Sequence, residues 1–344
     1  MPEVTIKDIA RLCGVGTSTV SRAINNHPAI RPETRERIWA TIEQYGYIPN
    51  NSARNLKRTE SNSVAVLVKG ITNLMFNSMI KVFDEKLKKY KLSMILQHVE
   101  YEEDEVQVAL KLIKEKRLKG IIFLGSNYYH AEGALGKVSV PFVLSTVGEI
   151  FEDEDLGRYC HVAVNDLEES YAVTNYLLAK GHRRIAILTA EEKDSSVGRL
   201  RLEGFLKAFR DRGLTPDARL ICPVSDEFEH YSMMNGYVTT QKLLASGQPL
   251  TAIYAMADIM AVGAYRAVLE SGRRIPEDIS VIGFDGIELG DYLRPKLTTL
   301  VQPAAEIAGA SIELLHSLMT GSGQKRNIIF KGKLTEKGSV RALD

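Results

Sequence analysis

Several features are missing from this 344-residue chain, and each absence narrows the field. No apolar run approaches the roughly 20 residues that a membrane-crossing helix needs, so no membrane partner is expected. The opening residues, Met1-Pro2-Glu3-Val4, carry neither a basic stretch nor an apolar core, which argues against an export signal. Only three cysteines occur, Cys13, Cys160 and Cys222. They are scattered and odd in number, so they form neither a disulfide framework nor a CxxC pair, and read as buried thiols in a reducing cytoplasm. The seven histidines, His27, His98, His130, His161, His182, His230 and His316, show no metal-ligand spacing. The acidic run Glu152-Asp153-Glu154-Asp155 also lacks ligand spacing and reads as a solvated loop. There is no GxxxxGK(S/T) phosphate loop, no GxSxG elbow and no HExxH. Gly14-Val15-Gly16 begins like a dinucleotide fingerprint, but Thr19 stands at the third glycine position and a helix, not a strand, precedes it. An enzyme, a metal site and a cofactor are therefore not expected.

Charge of one sign is also lacking overall, with a net of +1, but its distribution is uneven. Residues 1–58 hold nine Lys/Arg against five Asp/Glu, whereas the remainder holds 35 against 38. A basic head on a mildly acidic body points to a nucleic-acid-binding head. Hydrophobic content of 44% and charged content of 25% are those of an ordinary globular chain.

The head has clear local signals. Thr5-Ile6-Lys7-Asp8 reads as a capping box, and Ile6, Ile9, Ala10 and Cys13 then fall on one helical face. Gly14-Val15-Gly16 permits a sharp turn. A second helix is predicted from Thr17 to about Asn25, with Val20, Ala23 and Ile24 facing inward. Its other face carries Thr17, Ser18, Ser21, Arg22 and Asn25, all able to bond a base edge or phosphate. Two short helices joined by a glycine turn form a helix-turn-helix pattern, whose second helix would enter a DNA major groove. The alternative is a plain polar face on a helical hairpin. Pro32 suits the first position of a third helix, with Ile38, Ile42 and Tyr45 as its apolar stripe, Gly46 at its end and Trp39 expected in the core. Residues 50–58 are polar except for Ala53 and Leu56. They are too short to be a stable helix alone, and read locally as a linker.

Here the chain resembles the lactose/galactose repressor family. The resemblance is carried by Val4–Ala10, Gly14-Val15, Ser18–Asn25, Gly46–Asn50 and Ala53-Arg54-Asn55-Leu56, at unbroken spacing. It implies that Thr17 and Ser18 contribute to base choice and that Arg22 makes a base or phosphate contact. Thr5, Thr19, Ser21 and Asn25 complete the implied DNA-facing set of the head. It also implies that Asn50, Ala53, Arg54 and Leu56 belong to a hinge helix in the minor groove, with Leu56 wedged between base pairs so that the DNA kinks. Two departures appear: Gly16 stands where the family usually has a capping Ser, and Arg31 where Ser or Thr is usual.

Beyond residue 60, strand-like and helix-like segments alternate. Strand runs are read at Val64–Val68, Leu92–Gln97, Gly120–Gly125, His161–Val164, Arg184–Leu188, Ala252–Ala255 and Ile279–Phe284. Helical stripes lie between them, at Phe76–Leu87, Ala109–Ile113, Ala172–Leu177, Phe205–Phe209 and Asp258–Leu269. This rhythm predicts doubly wound parallel sheets, in which ligands bind beyond the carboxyl ends of strands. The polar residues there are the candidates: Thr72, Asn73 and nearby Phe76, then Ser126, then Asp285, with Arg201 and Tyr231 as a cation and an aromatic wall. Such groups can bind vicinal hydroxyls bidentately against a flat apolar surface. Each has a structural alternative. Asp258 opens a helix and reads as a cap, Asp285 sits in a Gly-Phe-Asp-Gly turn, Arg201 could be a solvated helix residue, and Phe76 and Tyr231 could simply pack.

The resemblance continues through Ile71–Phe76, Gly181–Ala186, Arg199–Phe205, Ala257–Ala264, Ile279–Asp285 and Arg294-Pro295 to Gln302-Pro303. It implies an effector domain similar to periplasmic sugar-binding proteins, with Arg201 and Asp285 as the strongest ligand residues. Ala257 and Thr146 stand where that family often has polar or acidic contacts, which weakens a plain hexose and leaves room for a sugar acid, a sugar phosphate or a nucleoside.

The expected architecture is thus a small all-α helix-turn-helix head plus an α/β periplasmic-binding-protein-like effector domain of two doubly wound parallel-sheet subdomains. The head spans residues 1–48, the hinge or linker 49–59, and the effector and dimerisation domain 60–344. Its subdomains are expected at about 60–160 plus 290–320, and at 161–289 plus 321–344. The expected partners are pseudo-palindromic double-stranded operator DNA, a sugar, sugar acid or sugar phosphate, and a second copy of the chain. No leucine heptads follow the last predicted strand, so a homodimer is expected rather than a coiled-coil tetramer. The implied activity is that of a repressor controlled by its effector, working in the cytoplasm and at the nucleoid when bound to its operator. A transport receptor without DNA activity is the alternative; it should carry an export signal and no basic helix-turn-helix.

Overall fold

The computed structural model describes residues 4–24, 27–45, 47, 62–127, 134–148, 159–190, 196–225, 227–322 and 327–343. These divide into two compact units, one ending at Ser61 and one starting at Asn62.

In the first unit, α1 (Ile6–Leu12), α2 (Thr17–Ile24) and α3 (Pro32–Tyr45) enclose a small core of Ile9, Ala10, Cys13, Val20, Ala23, Ile38 and Ile42. At the start of α1 the Thr5 backbone amide (3.0 Å) and hydroxyl (2.6 Å) both donate to the Asp8 carboxylate. Those bonds hold the Asp8 carboxyl below its ordinary range. Gly14 takes φ +60 between α1 and α2, a left-handed turn that costs glycine nothing. The third helix corrects two expectations. Trp39 is 42% exposed and Tyr45 45% exposed, so neither is core. Ile38 and Ile42 are one turn apart and already fill the inward face, and the two aromatic rings fall outside that stripe.

The second unit contains two six-stranded sheets. The first comprises β1 (Ser63–Lys69), β2 (Ser93–Val99), β3 (Gly120–Leu124), β4 (Phe142–Ser145), β5 (Tyr159–Val164) and β11 (Ile328–Phe330), all parallel, in the order β11-β5-β4-β3-β1-β2. The second comprises β6 (Ile185–Thr189), β7 (Ile221–Pro223), β8 (Ala252–Ala255), β9 (Ser280–Asp285), β10 (Thr298–Val301) and β12 (Lys333–Thr335), in the order β12-β10-β9-β8-β6-β7. Among the described strands only β12 pairs antiparallel. Burial on both faces explains the unbroken apolar runs. In β1, Val64, Val66 and Val68 enter one core while Ala65 and Leu67 enter another, as a two-residue repeat requires.

Seven helices flank these sheets among the described residues: α4 (Leu74–Lys89), α5 (Glu105–Lys116), α6 (Asp166–Ala179), α7 (Val197–Asp211), α8 (Met233–Ala245), α9 (Asp258–Glu270) and α10 (Ala304–Thr320). Local sequence starts most of them. Asn73, Asp104, Asn165, Ser196 and Ser232 each accept a backbone N–H with their side chain at the N-cap.

The sheets divide the chain differently from the expected boundaries. Strand β5 lies in the first sheet and the chain crosses only afterwards, into α6, which packs on α7. Strand β10 lies in the second sheet, so the return comes near Gln302, before α10 packs on α4 and the first sheet. Residues 328–330 then add to the first sheet rather than the second, and the last crossing falls between β11 and β12. Each crossing takes only one or two residues, Asn165, Gln302-Pro303 and Lys331-Gly332, and which sheet a strand joins is set by a pairing partner elsewhere in the chain.

Candidate functional site

A cleft opens at the carboxyl ends of both sheets, enclosing about 580 Å³ of space that includes its open mouth. Strand β1 ends on Lys69 and leads to Gly70, β3 leads to Gly125, Ser126 and Asn127, β4 leads to Thr146, and β9 ends on Asp285. The first turns of α4 and α7 add Asn73, Met75, Phe76, Ser196, Val197 and Arg201. Tyr101, Tyr231 and Gln302 complete the wall.

Asp285 is the polar centre. It holds φ at 122, rare for a side chain with a Cβ. Its backbone is kept there by the neighbouring Asp258, whose Oδ2 accepts from the Gly286 (2.7 Å) and Ile287 (2.9 Å) amides and whose Oδ1 accepts from the Thr299 hydroxyl (2.6 Å). Asp258 therefore fixes the turn after β9; the N-cap of α9 is Ala257, which makes no capping bond. The Asp285 carboxylate accepts from Asn73 Nδ2 (3.2 Å) and Gln302 Nε2 (2.8 Å). Burial pushes its carboxyl up to about 7, against the opposing pull of Arg201 and of those two amides. Burial likewise raises Asp258 to about 6.

Arg201 is 5% exposed. Its Nε donates to Asp166 Oδ1 (2.8 Å) and its Nη1 to the Met256 carbonyl (2.5 Å), while Nη1 stands 3.7 Å from Asp285 Oδ1. The guanidinium lies 3.8 Å from the centre of the Phe284 ring, a cation–π contact. Burial disfavours its charge, but Asp166 and Asp285 outweigh that and hold its pKa above the ordinary value. The expected solvated-helix alternative is thus wrong for Arg201. Two of its five N–H donors are taken by protein acceptors, which hold the group beside Asp285 while it lines the cleft.

Among the described residues, two hydrogen bonds and one ring contact join the two halves of the cleft. Asn73 bonds Asp285 as above, the Thr72 hydroxyl donates to the Tyr231 carbonyl (3.2 Å), and the Tyr101 and His230 rings meet at 3.8 Å between centres. Asn73 also caps α4 through Met75 N (3.0 Å), so one side chain joins a helix start to the opposite sheet. Gly125 has φ +72, and a Cβ there would fall 2.4 Å from the Lys69 carbonyl and 2.7 Å from the Phe76 ring. Only glycine lets β3 pass so close to the aromatic wall.

Of the residues read from the sequence, Asn73, Phe76, Ser126, Thr146, Arg201, Tyr231 and Asp285 come together around this space. Thr72 and Ala257 do not line it. Thr72 ties the cleft edge, and Ala257 is 1% exposed behind the wall at the start of α9. Tyr231 bonds Ser196 Oγ at 2.7 Å, and Ser126 donates to the buried Glu105 carboxylate, which also accepts from the Asn127 amide (3.2 Å). The sequence reading missed Lys69, Tyr101, Asn127, Ser196, Gln302 and the orienting Asp166. The strand-end rule that found Asn73 reaches Lys69 one step earlier; nothing local marks Gln302 or Asp166.

In the first unit, Thr17, Ser18 and Arg22 lie exposed on α2, with Thr19 and Ser21 half-buried beside them, and Thr5 is exposed at the start of α1. Asn25 and the hinge residues Asn50, Ala53, Arg54 and Leu56 fall outside the described residues. Among the described residues no cluster of His, Cys, Asp and Glu could hold a metal ion, and no helix is long and apolar enough to cross a membrane.

A family model described as bacterial regulatory proteins, lacI family, matches residues 5–50, and one described as a periplasmic binding protein-like domain matches residues 174–340. The HTH-type transcriptional regulator MalR of Clostridium butyricum is 38% identical over 338 residues, covering 98% of this chain and 99% of that protein. The ribose operon repressor of Escherichia coli K12 is 31% identical over 340 residues, covering 98% and 99%. Among solved structures, the lac repressor dimer bound to operator and the anti-inducer ONPF superposes with a TM-score of 0.71 at 26% identity, over 99% of this chain and 100% of that one. A LacI family regulator from Enterococcus faecium with bound ribose gives 0.68 at 26% identity, over 82% and 100%.

Proposed function

Because the chain belongs to the lacI family of bacterial regulatory proteins, we propose that it is a repressor whose operator affinity is set by a sugar or sugar derivative held in this cleft. The observation that carries the effector half is Asp285, a buried acceptor at the strand ends, bonded across the cleft to Asn73. A carboxylate flanked by amides and faced by aromatic rings suits a polyhydroxy ligand. Exposed Thr17, Ser18 and Arg22 on a basic head carry the DNA half.

Two linked equilibria would produce control. The halves of the cleft open and close, and a ligand that favours one form shifts the population by its differential affinity alone. In a two-fold dimer this changes the spacing of the two chain segments leading to the heads, which must match two half-sites of a pseudo-palindromic operator. Residues 50–58 would form a helix only when paired over DNA, with Leu56 as the wedge and Asn50, Ala53 and Arg54 beside it. Thr5, Thr19, Ser21 and Asn25 would add phosphate and base contacts around the reading helix. Such a regulator works in the cytoplasm, at the nucleoid when on its operator.

The test is selection of an operator by the full chain from random duplex DNA, followed by titration of that complex with sugars, sugar acids, sugar phosphates and nucleosides. A two-fold symmetric site should be enriched, and one ligand class should change its affinity at least tenfold. No enriched site would refute DNA binding. An enriched site indifferent to every ligand would refute the effector reading.

A further inference from the structure

Resting on that sugar-effector reading, we infer that the ligand bears an acidic group, a carboxylate or a phosphate, and that Lys69 holds it. Lys69 is the last residue of β1, is 5% exposed, and lines the cleft. Gly70 follows it at φ +81 and turns the chain away, which leaves the lysine side chain at the strand end, where ligands of parallel sheets sit. Its Nζ donates to the Glu103 backbone carbonyl (3.1 Å) and lies 5.8 Å from the centre of the Tyr101 ring. An ammonium group has three donors. Among the described residues no carboxylate forms an ion pair with it. Glu105, which borders the same end of the cleft, is occupied by the Ser126 hydroxyl and the Asn127 amide.

Lysine is rarely buried to this degree without a charged partner, because desolvating an unpaired ammonium is costly. The other cation of the cleft does not share this position. Arg201 is neutralised by Asp166 and Asp285. The cleft is therefore polarised. Asp285 of the second sheet, with its amide partners, can accept ligand hydroxyls, and Lys69 of the first sheet has no anion among the described residues. A ligand carboxylate or phosphate supplies that anion and gains a charge-assisted hydrogen bond about twice as strong as a neutral one. A neutral sugar would leave Lys69 uncompensated inside a closed cleft.

The experiment measures binding of glucose, galactose and ribose to the full chain by calorimetry, each beside its acid and its phosphate ester. The same titrations are repeated with Lys69→Met and Lys69→Arg, and operator binding reports that each variant is folded. At least one acidic member should bind tenfold or more tightly than its neutral parent. Lys69→Met should erase that preference and Lys69→Arg should keep most of it. Which arm responds, acid or phosphate, names the group. Binding of a neutral sugar with no preference for its acidic forms, unchanged in Lys69→Met, overturns the anion inference while leaving the sugar reading intact. Failure of every sugar in all three forms overturns both.

Discussion

Asp285 links the residue chemistry of the cleft to pH. Its carboxyl is raised by burial to about 7 from an unperturbed 3.8, and that of Asp258 to about 6. A raised acid is protonated more readily in the folded state than in the unfolded one. Its contribution to stability is therefore complete below the unfolded value and is lost as pH rises through the folded value. The window is about pH 4 to 7. Asp285→Asn, which cannot ionise, should flatten the fall in stability across that window relative to the unmodified chain, as read by melting temperature at matched pH values. Parallel profiles would show that Asp285 ionises as freely in the folded chain as in the unfolded one. Ligand binding should move the other way, strengthening as pH rises through about 7, because the ionised carboxylate is the better acceptor.

At the scale of elements, α9 does more than cover the second sheet. Its first residue, Asp258, joins three pieces of chain: the turn after β9, the strand β10 through Thr299, and the helix itself. Removing this carboxylate leaves two backbone amides and one hydroxyl without their acceptor in a buried place. Asp258→Ala should cost about 2–5 kcal/mol of stability, measurable by denaturant unfolding, and should weaken effector binding because the turn that carries Asp285 loosens. Loss of stability without loss of affinity would mean that the turn holds itself. Helix packing adds a second constraint: a Cβ on Gly263 of α9 would lie 2.0 Å from the Met233 carbonyl of α8, so glycine sets how closely these two helices run.

For the whole molecule, charge is the lever. The head carries nine Lys/Arg against five Asp/Glu within residues 1–58, and a dimer presents two such heads. Each phosphate neutralised releases counterions, so six to ten contacts imply a loss of roughly 10³–10⁵ in operator affinity between about 50 and 200 mM salt. Binding assays across that range should give a steep straight line on logarithmic axes. A flat line would argue against phosphate contacts and so against the DNA reading.

Much of this was legible in the linear chain because it is local. Caps, glycine turns and the repeats of two and of 3.6 residues act between near neighbours, so the three-helix head and the strand–helix alternation could be read directly. The strand-end rule likewise placed Asn73, Ser126 and Asp285 at the cleft. What it could not reach depends on residues far apart. Asn73 and Asp285 are 212 positions apart, Arg201 and Asp166 35 apart, and Gln302 reaches Asp285 only because β10 pairs with β9. Trp39 and Tyr45 lie outside a stripe that Ile38 and Ile42 already fill, and the crossings between sheets depend on which distant strand each new strand pairs with. The sequence by itself determined which elements form and of what kind, since that follows from backbone propensity and side-chain periodicity. Only the tertiary structure decided which charges meet, because burial and pairing are properties of packed neighbours: Arg201 is bound to carboxylates, and Lys69 pairs with none among the described residues.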